Sequence, residues 1–277
     1  GVHHDAWVPP YTSKPLRSRH KDKIGIEESG EPAGGTKGKV AIFATCYGNF
    51  NEPVVGEDLI AVLEHNSIAV SFAQKEVCCG MPKLELGDFE TVRKLKETNI
   101  PRLARLVDEG WDLIALVPSC VLMFRQELPL MFPEDANVLK VKQAFFDPFE
   151  YLMRRHKDGK FNTDFKSGLG VVSYQAACHQ RVQNFGRKTM EALSLIPDTE
   201  VKIIERCSGH DGTYALKSEH RAAAEKIVRP VVRRIEQDQA DCYGSDCPLA
   251  GHHIENALQS KKSVSHPISL LRKAYGI

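Results

Sequence analysis

At 277 residues the chain exceeds the usual size of a single hydrophobic core and has room for two domains of about 100 to 130 residues each. Hydrophobic residues make up 42% and charged residues 26%, an ordinary balance for a globular protein, and a formal net charge of +1 argues against polyanions, nucleic acid included, as the main partner. No stretch approaches the ~20 apolar residues that cross a bilayer, so any membrane role is expected to be peripheral or through a partner.

Residues 1–38 hold Pro9, Pro10 and Pro15, a basic run over 17–23 and a Gly/Pro/Glu stretch ending at Gly38, and read as an extended arm or linker. The chain starts at Gly1 with neither Met nor an apolar signal core, which fits a fragment or a processed product. From Lys39 strands and helices alternate: a strand over 40–45, a helix over 54–65, a strand over 68–72, a long helix over 88–109 interrupted near Pro101, a strand over 113–117 and a helix from about Cys120. The second half repeats the order, with strands over 169–174, 201–205 and 241–244 and helices over 179–193, 216–237 and 249–258. Alternation of this kind predicts parallel sheets covered by helices on both faces, one in 39–160 and one in 161–277.

The cysteines follow the same repeat. The first half reads C-x31-C-C-G from Cys46 to Gly80, with Cys120 41 positions beyond Cys79. The second reads C-x28-C-S-G from Cys178 to Gly209, with Cys247 40 positions beyond Cys207 and Ser208 in place of a doubled thiol. Eight cysteines are too few for a disulfide scaffold, and clustered cysteines in a reducing compartment are metal ligands or redox groups. Cys46, Cys78, Cys79 and Cys120 in the first half, and Cys178, Cys207 and Cys247 in the second, are expected just past the C-terminal ends of strands, along one sheet edge, where ligands gather. Gly80 and Gly209 suit turns that bring backbone close to a cofactor. Four thiolates suit zinc or an iron–sulfur cluster. Structural zinc usually takes short C-x2-4-C hooks, absent here, and three separate loops make a wider cage than one ion needs.

The runs ATCYGN, EVCCGMP and VPSCVLMF, then AACHQR, ERCSGHDGTYAL and SDCPLAGHHI, resemble the cysteine-rich CCG domain family over roughly residues 39–277. Members include the cysteine-rich subunit of heterodisulfide reductase and iron–sulfur subunits of anaerobic glycerol-3-phosphate dehydrogenase, glycolate oxidase and lactate-utilisation systems; the ending SHPISLLRKAYGI is similar to the glycerol-3-phosphate dehydrogenase branch. The resemblance implies two Rossmann-like halves of pseudo-symmetric α/β fold, each with a cysteine site. It also implies a flavin dehydrogenase partner, a ferredoxin-type segment or subunit upstream, and a quinone, membrane-subunit or thiol acceptor. The expected location is cytoplasmic, or peripheral at the cytoplasmic face of a membrane.

Departures from the family pattern separate the two halves. Met123 and Ala250 stand where its closing cysteines would fall, and Ser208 removes another. The first site is therefore expected to hold a [4Fe–4S] cluster on Cys46, Cys78, Cys79 and Cys120. The second keeps Cys178, Cys207 and Cys247, with Cys242, His179 or His210 as a possible fourth ligand; another cluster, a metal, or nothing would occupy it. The histidines fit better as hydrogen-bond donors to sulfur than as ligands. Two alternatives stand beside an electron-transfer subunit: a thiol–disulfide enzyme of the heterodisulfide reductase kind, and a zinc-stabilised scaffold. No G-x-G-x-x-G, Walker or Ser-His-Asp pattern is present.

Overall fold

The computed structural model describes residues 1–26, 28–258 and 263–277. The chain forms two compact lobes, an N-terminal one of Tyr11–Asn162 and a C-terminal one of Thr163–Ile277 together with Gly1–Pro10.

In the N-terminal lobe, strands β1 (Lys39–Phe43), β2 (Ala69–Phe72), β3 (Asp112–Ala115) and β4 (Phe145–Phe146) form a sheet in the order β2-β1-β3-β4, every pairing parallel. Val40, Ile42, Phe43, Leu113 and Ile114 are at most 1% exposed, because helices cover both faces of the sheet and leave no water-facing side for alternation. Helix Pro53–His65 buries Val55, Leu59, Val62 and Leu63, a stripe at helical spacing. Helix Phe89–Asp108 begins on Asp88, whose carboxylate accepts the Thr91 N–H at 3.1 Å, and buries Val92, Ile100, Leu103 and Ala104.

That helix runs unbroken through Pro101, so the expected interruption does not occur. Proline removes one backbone hydrogen bond, and the packed turns on either side hold the helix together without it. After Cys120 the chain is less regular than expected: Pro118–Leu122 passes through a π-helical turn, Met123–Glu127, into Leu128–Met131. Helices Ala136–Ala144 and Pro148–His156 and the two-residue strand β4 were not anticipated from the sequence.

In the C-terminal lobe, β5 (Gly170–Gln175), β6 (Thr199–Ile204) and β7 (Cys242–Ser245) form a parallel sheet in the order β6-β5-β7. Helix Arg221–Asp238 packs Val228, Val231 and Ile235 into a core with Ile204, Tyr243, Ile254 and Leu258. The helix expected over 179–193 divides into Cys178–Arg181 and Lys188–Leu193, because Asn184 (φ 56°) and Gly186 (φ 89°) adopt left-handed backbone between them. Helix Pro267–Tyr275, also unanticipated, ends on Gly276 in the same conformation. The first residues lie against this lobe: Val2 bridges Lys217, the His3 N–H donates to Leu216 O at 2.8 Å, and Trp7 stacks on His252 at 4.1 Å.

Candidate metal centres at the sheet edges

In the N-terminal lobe the register pairs Ile42 with Phe72 and Phe43 with Ala115, so the adjacent strands β2, β1 and β3 end together. Cys46 follows β1, Cys78 and Cys79 follow β2, and Cys120 follows β3, all at that end. Their thiols form a chain of contacts, Cys46 to Cys78, Cys78 to Cys79 and Cys79 to Cys120. The hydrogen bonds that Cys78 receives from Cys46 and then Cys79 hold its thiol well below the ordinary range. Cys46 is pushed up by its bond to Cys78, and Cys79 by its bond to Cys120. Cys46 is exposed, Cys78 half-buried, and Cys79 and Cys120 buried, so the row runs from the surface inward.

Three residues that the sequence reading passed over fix these loops. Thr45 caps the turn that opens at Cys46, its hydroxyl accepting the Gly48 N–H at 2.9 Å, and it takes φ 62°, a strained conformation for a β-branched residue. Glu76 accepts the backbone N–H groups of Ala44 and Thr45, tying the approach to Cys78 onto the approach to Cys46, and burial pushes its carboxyl up to about 8. Asn99, 2% exposed, accepts the Val77 N–H at 3.0 Å and donates to Val77 O at 3.3 Å and Cys78 O at 3.1 Å. Asparagine inside a helix two residues before proline was the available signal, since it favours caps and turns over helix interiors.

Gly80 adopts φ 104°, and a Cβ there would lie 3.3 Å from Met123 Cε. Met123, fully buried, thus forms the floor beneath the doubled cysteine. Phe124 belongs to the core, against Phe43 and Phe145. A tetrahedral zinc with about 2.3 Å bonds would draw its sulfurs to about 3.8 Å from one another. Among the described residues, the group of three or more candidate ligand atoms within 4.8 Å of one another is His3, His4 and Asp5 on the first turn. The four thiols are not such a group; they lie in a row along the sheet edge.

In the C-terminal lobe, Cys178 and Cys207 lie three residues beyond the paired ends Gln175 and Ile204, and burial, with Cys178 nearby, raises the Cys207 thiol. Cys247 lies near enough to interact with Cys178 electrostatically, and burial raises its thiol to about 11. Gln175, 1% exposed, stitches the strand ends together: its amide donates to Ala176 O and Arg206 O, both at 2.9 Å, and its oxygen accepts the Ser245 hydroxyl at 2.7 Å. Asp246, beside Cys247, accepts from the Thr189 hydroxyl at 2.9 Å and from the Tyr174 hydroxyl. The sequence reading missed both residues.

The further candidates fall in different places. Cys242 opens β7 at the opposite end of the sheet, its thiol on Leu169 O at 3.8 Å, so the structure does not bring it to the other three. His179 follows Cys178 in its short turn, half-buried. His210 is driven down to about 4 by burial and faces His253 with ring centroids 6.2 Å apart; the Nε2 atoms of both are buried without a partner among the described residues. Both line a small cavity with Trp7, Leu249 and Arg221. Gly209 takes φ 76°, where a Cβ would lie 2.4 Å from Ala224 O, and its N–H donates to Cys207 Sγ at 3.4 Å. Ser208 is buried and its hydroxyl accepts the His210 N–H at 3.4 Å.

The CCG cysteine-rich domain profile matches this chain twice, over residues 40–125 and 172–255, spanning the two cysteine edges. One subunit of the anaerobic glycerol-3-phosphate dehydrogenase of Escherichia coli is 32% identical over 244 residues, covering 86% of this chain and 59% of the relative. One subunit of the fumarate reductase (CoM/CoB) of Methanothermobacter marburgensis is 25% identical over 269 residues, 93% of this chain and 50% of the relative. An uncharacterized iron–sulfur protein of Methanocaldococcus jannaschii is 26% identical over 254 residues, 87% and 48%. The chain thus spans about half to three-fifths of these relatives' lengths. Among the described residues no helix is long and apolar enough to cross a membrane.

Proposed function

Because this chain belongs to the cysteine-rich CCG domain family, we propose that it is the iron–sulfur electron-transfer part of an oxidoreductase complex, with one [4Fe–4S] cluster held by Cys46, Cys78, Cys79 and Cys120. Four cysteines brought to one sheet edge carry this reading: they supply the donor count of a four-ligand cluster. One relative described as an iron–sulfur protein supports the choice of metal, and two that are subunits of a dehydrogenase and a reductase support a multi-subunit setting.

When bound, such a cluster supplies reversible one-electron transfer. The chain's own residues position the thiols and set their surroundings. Glu76 and Asn99 fix the loops of Cys46 and Cys78, so the ligands are held in place before metal arrives. Cys78, the thiol most readily ionised, is the first anchor, and each remaining thiol gives up its proton on binding. Buried Cys79 and Cys120 keep water from the inner side, while exposed Cys46 leaves one edge open to a redox partner. The proposed donor is a flavin-containing dehydrogenase subunit or a ferredoxin-type domain, and the acceptor a quinone or thiol carrier. A peripheral place at the cytoplasmic face of a membrane follows from docking on such partners.

The C-terminal edge lacks a fourth thiol within reach, and the cluster is assigned to the N-terminal lobe alone. Iron and acid-labile sulfide analysis of anaerobically purified single Cys→Ser variants tests this. Replacing Cys78 or Cys120 is expected to remove the iron, and replacing Cys207 to leave it; equal iron loss at both edges would overturn the assignment.

A further inference from the structure

We propose that the segment Tyr11–Arg19 is a strap that positions Cys46 at the N-terminal centre, with Leu16 as its anchor and Asn49 as its contact on the cysteine turn. The positioning stands on the chain's own contacts, and its effect on a bound cluster rests on the function proposed above.

Cys46 is the first residue of a five-residue helical turn, Cys46–Phe50. A helix so short is unstable by itself, because its nucleus fixes several residues for few hydrogen bonds. Contacts from outside must hold it, and the structure supplies them at both ends. Thr45 caps the start. At the far end the Phe50 carbonyl accepts the Thr12 N–H at 2.8 Å, and the amide oxygen of buried Asn49 accepts the Arg17 N–H at 3.1 Å. Tyr11 adds a ring contact to Phe50, with centroids 6.5 Å apart.

The strap is itself anchored beyond the turn. Leu16 is fully buried and seats on Gly56 of helix Pro53–His65, where a Cβ would lie 2.2 Å from Leu16 Cδ2. Glycine inside a helix weakens it; here the missing side chain is the socket for Leu16. Arg19 clips the segment closed, its guanidinium donating to Lys14 O at 2.7 Å and to the Glu57 carboxylate of the same helix at 3.0 Å. Residues expected as linker thus join the Cys46 turn to the helix that follows it.

Cys46 is the exposed end of the row, without the burial that encloses Cys79 and Cys120. Asn99, which fixes the Cys78 loop, does not reach its turn. The strap therefore decides how far that turn frays. A frayed turn admits water to the open edge, and water stabilises the negative charge that reduction adds, so releasing the strap raises the reduction potential of a cluster held there.

The test reads hydrogen exchange by mass over peptides covering 46–52, in the metal-free full chain and in the chain loaded anaerobically with iron and sulfide. The Asn49, Asn51 and Glu52 N–H groups are bonded within the wild-type turn. In Leu16→Ala these amides should exchange about tenfold faster. Gly56→Ala should do the same with Leu16 still present, because the new methyl group takes its seat while helix Pro53–His65 gains a better helix former. Leu152→Ala, equally buried on helix Pro148–His156, should lower the melting temperature and leave exchange over 46–52 at the wild-type rate. In the loaded chain both strap variants should show a midpoint potential above wild type. Wild-type exchange in both strap variants would overturn the strap, as would an equal rise in Leu152→Ala. An unchanged potential alongside faster exchange would overturn its effect on the cluster. Failure of wild type to bind iron would overturn the cluster reading alone, since exchange in the metal-free chain does not involve metal.

Discussion

Asn99 shows how one side chain can hold a ligand loop. Its three hydrogen bonds to Val77 and Cys78 are buried, so truncation leaves backbone groups without partners. Asn99→Ala is expected to cost about 2 kcal/mol in urea unfolding and to lower bound iron; an unchanged midpoint with full iron would contradict this role. His210 carries a pH signature. Burial lowers its basicity from the ordinary value of 6.5 to about 4, so between those values the unfolded chain binds the proton more readily. The stability from keeping it neutral is therefore present above about pH 6.5 and drains away as pH falls toward 4, at up to about 1.4 kcal/mol per unit. Unfolding of metal-free protein from pH 7 to 4.5 should show this slope in wild type and a shallower one in His210→Phe; parallel slopes would contradict it. The cysteines were legible in the sequence because their chemistry and spacing repeat. Asn99, Glu76, Gln175 and Asp246 were not, because each acts across a distance that only the folded loops create.

The strands were readable because two-sided burial leaves unbroken apolar runs, and both ends of β1, β2, β3, β5, β6 and β7 fall within two residues of the expected spans. Helix ends were harder. Left-handed backbone at Asn184 and Gly186 broke a run that its composition presented as one helix, while packing carried another straight through Pro101. Helices Ala136–Ala144, Pro148–His156 and Pro267–Tyr275 lie outside the strand–cysteine–helix rhythm and so went unread. One position tests how tightly an element constrains a ligand loop. Gly209 needs positive φ, and a methyl group there would meet the Ala224 carbonyl of helix Arg221–Asp238 at 2.4 Å. Gly209→Ala should destabilise the protein by roughly 2–3 kcal/mol and pull the Cys207 loop off that helix. A wild-type melting curve would show that the loop yields more easily than its packing implies.

Across the whole molecule one sequence device appears twice with different outcomes. Both lobes bring cysteines to the C-terminal edge of a parallel sheet, where three loops converge. In the N-terminal lobe this gathers a row of four cysteines, half of them buried; in the C-terminal lobe it gathers three, Cys178 and Cys207 exposed and Cys247 more enclosed. The central claim, a [4Fe–4S] cluster on the N-terminal edge, is tested most directly by anomalous diffraction from anaerobically grown crystals, with data at the iron and zinc edges. An iron signal of about four atoms among Cys46, Cys78, Cys79 and Cys120 is the expected result. A single zinc peak there, without iron, would contradict it.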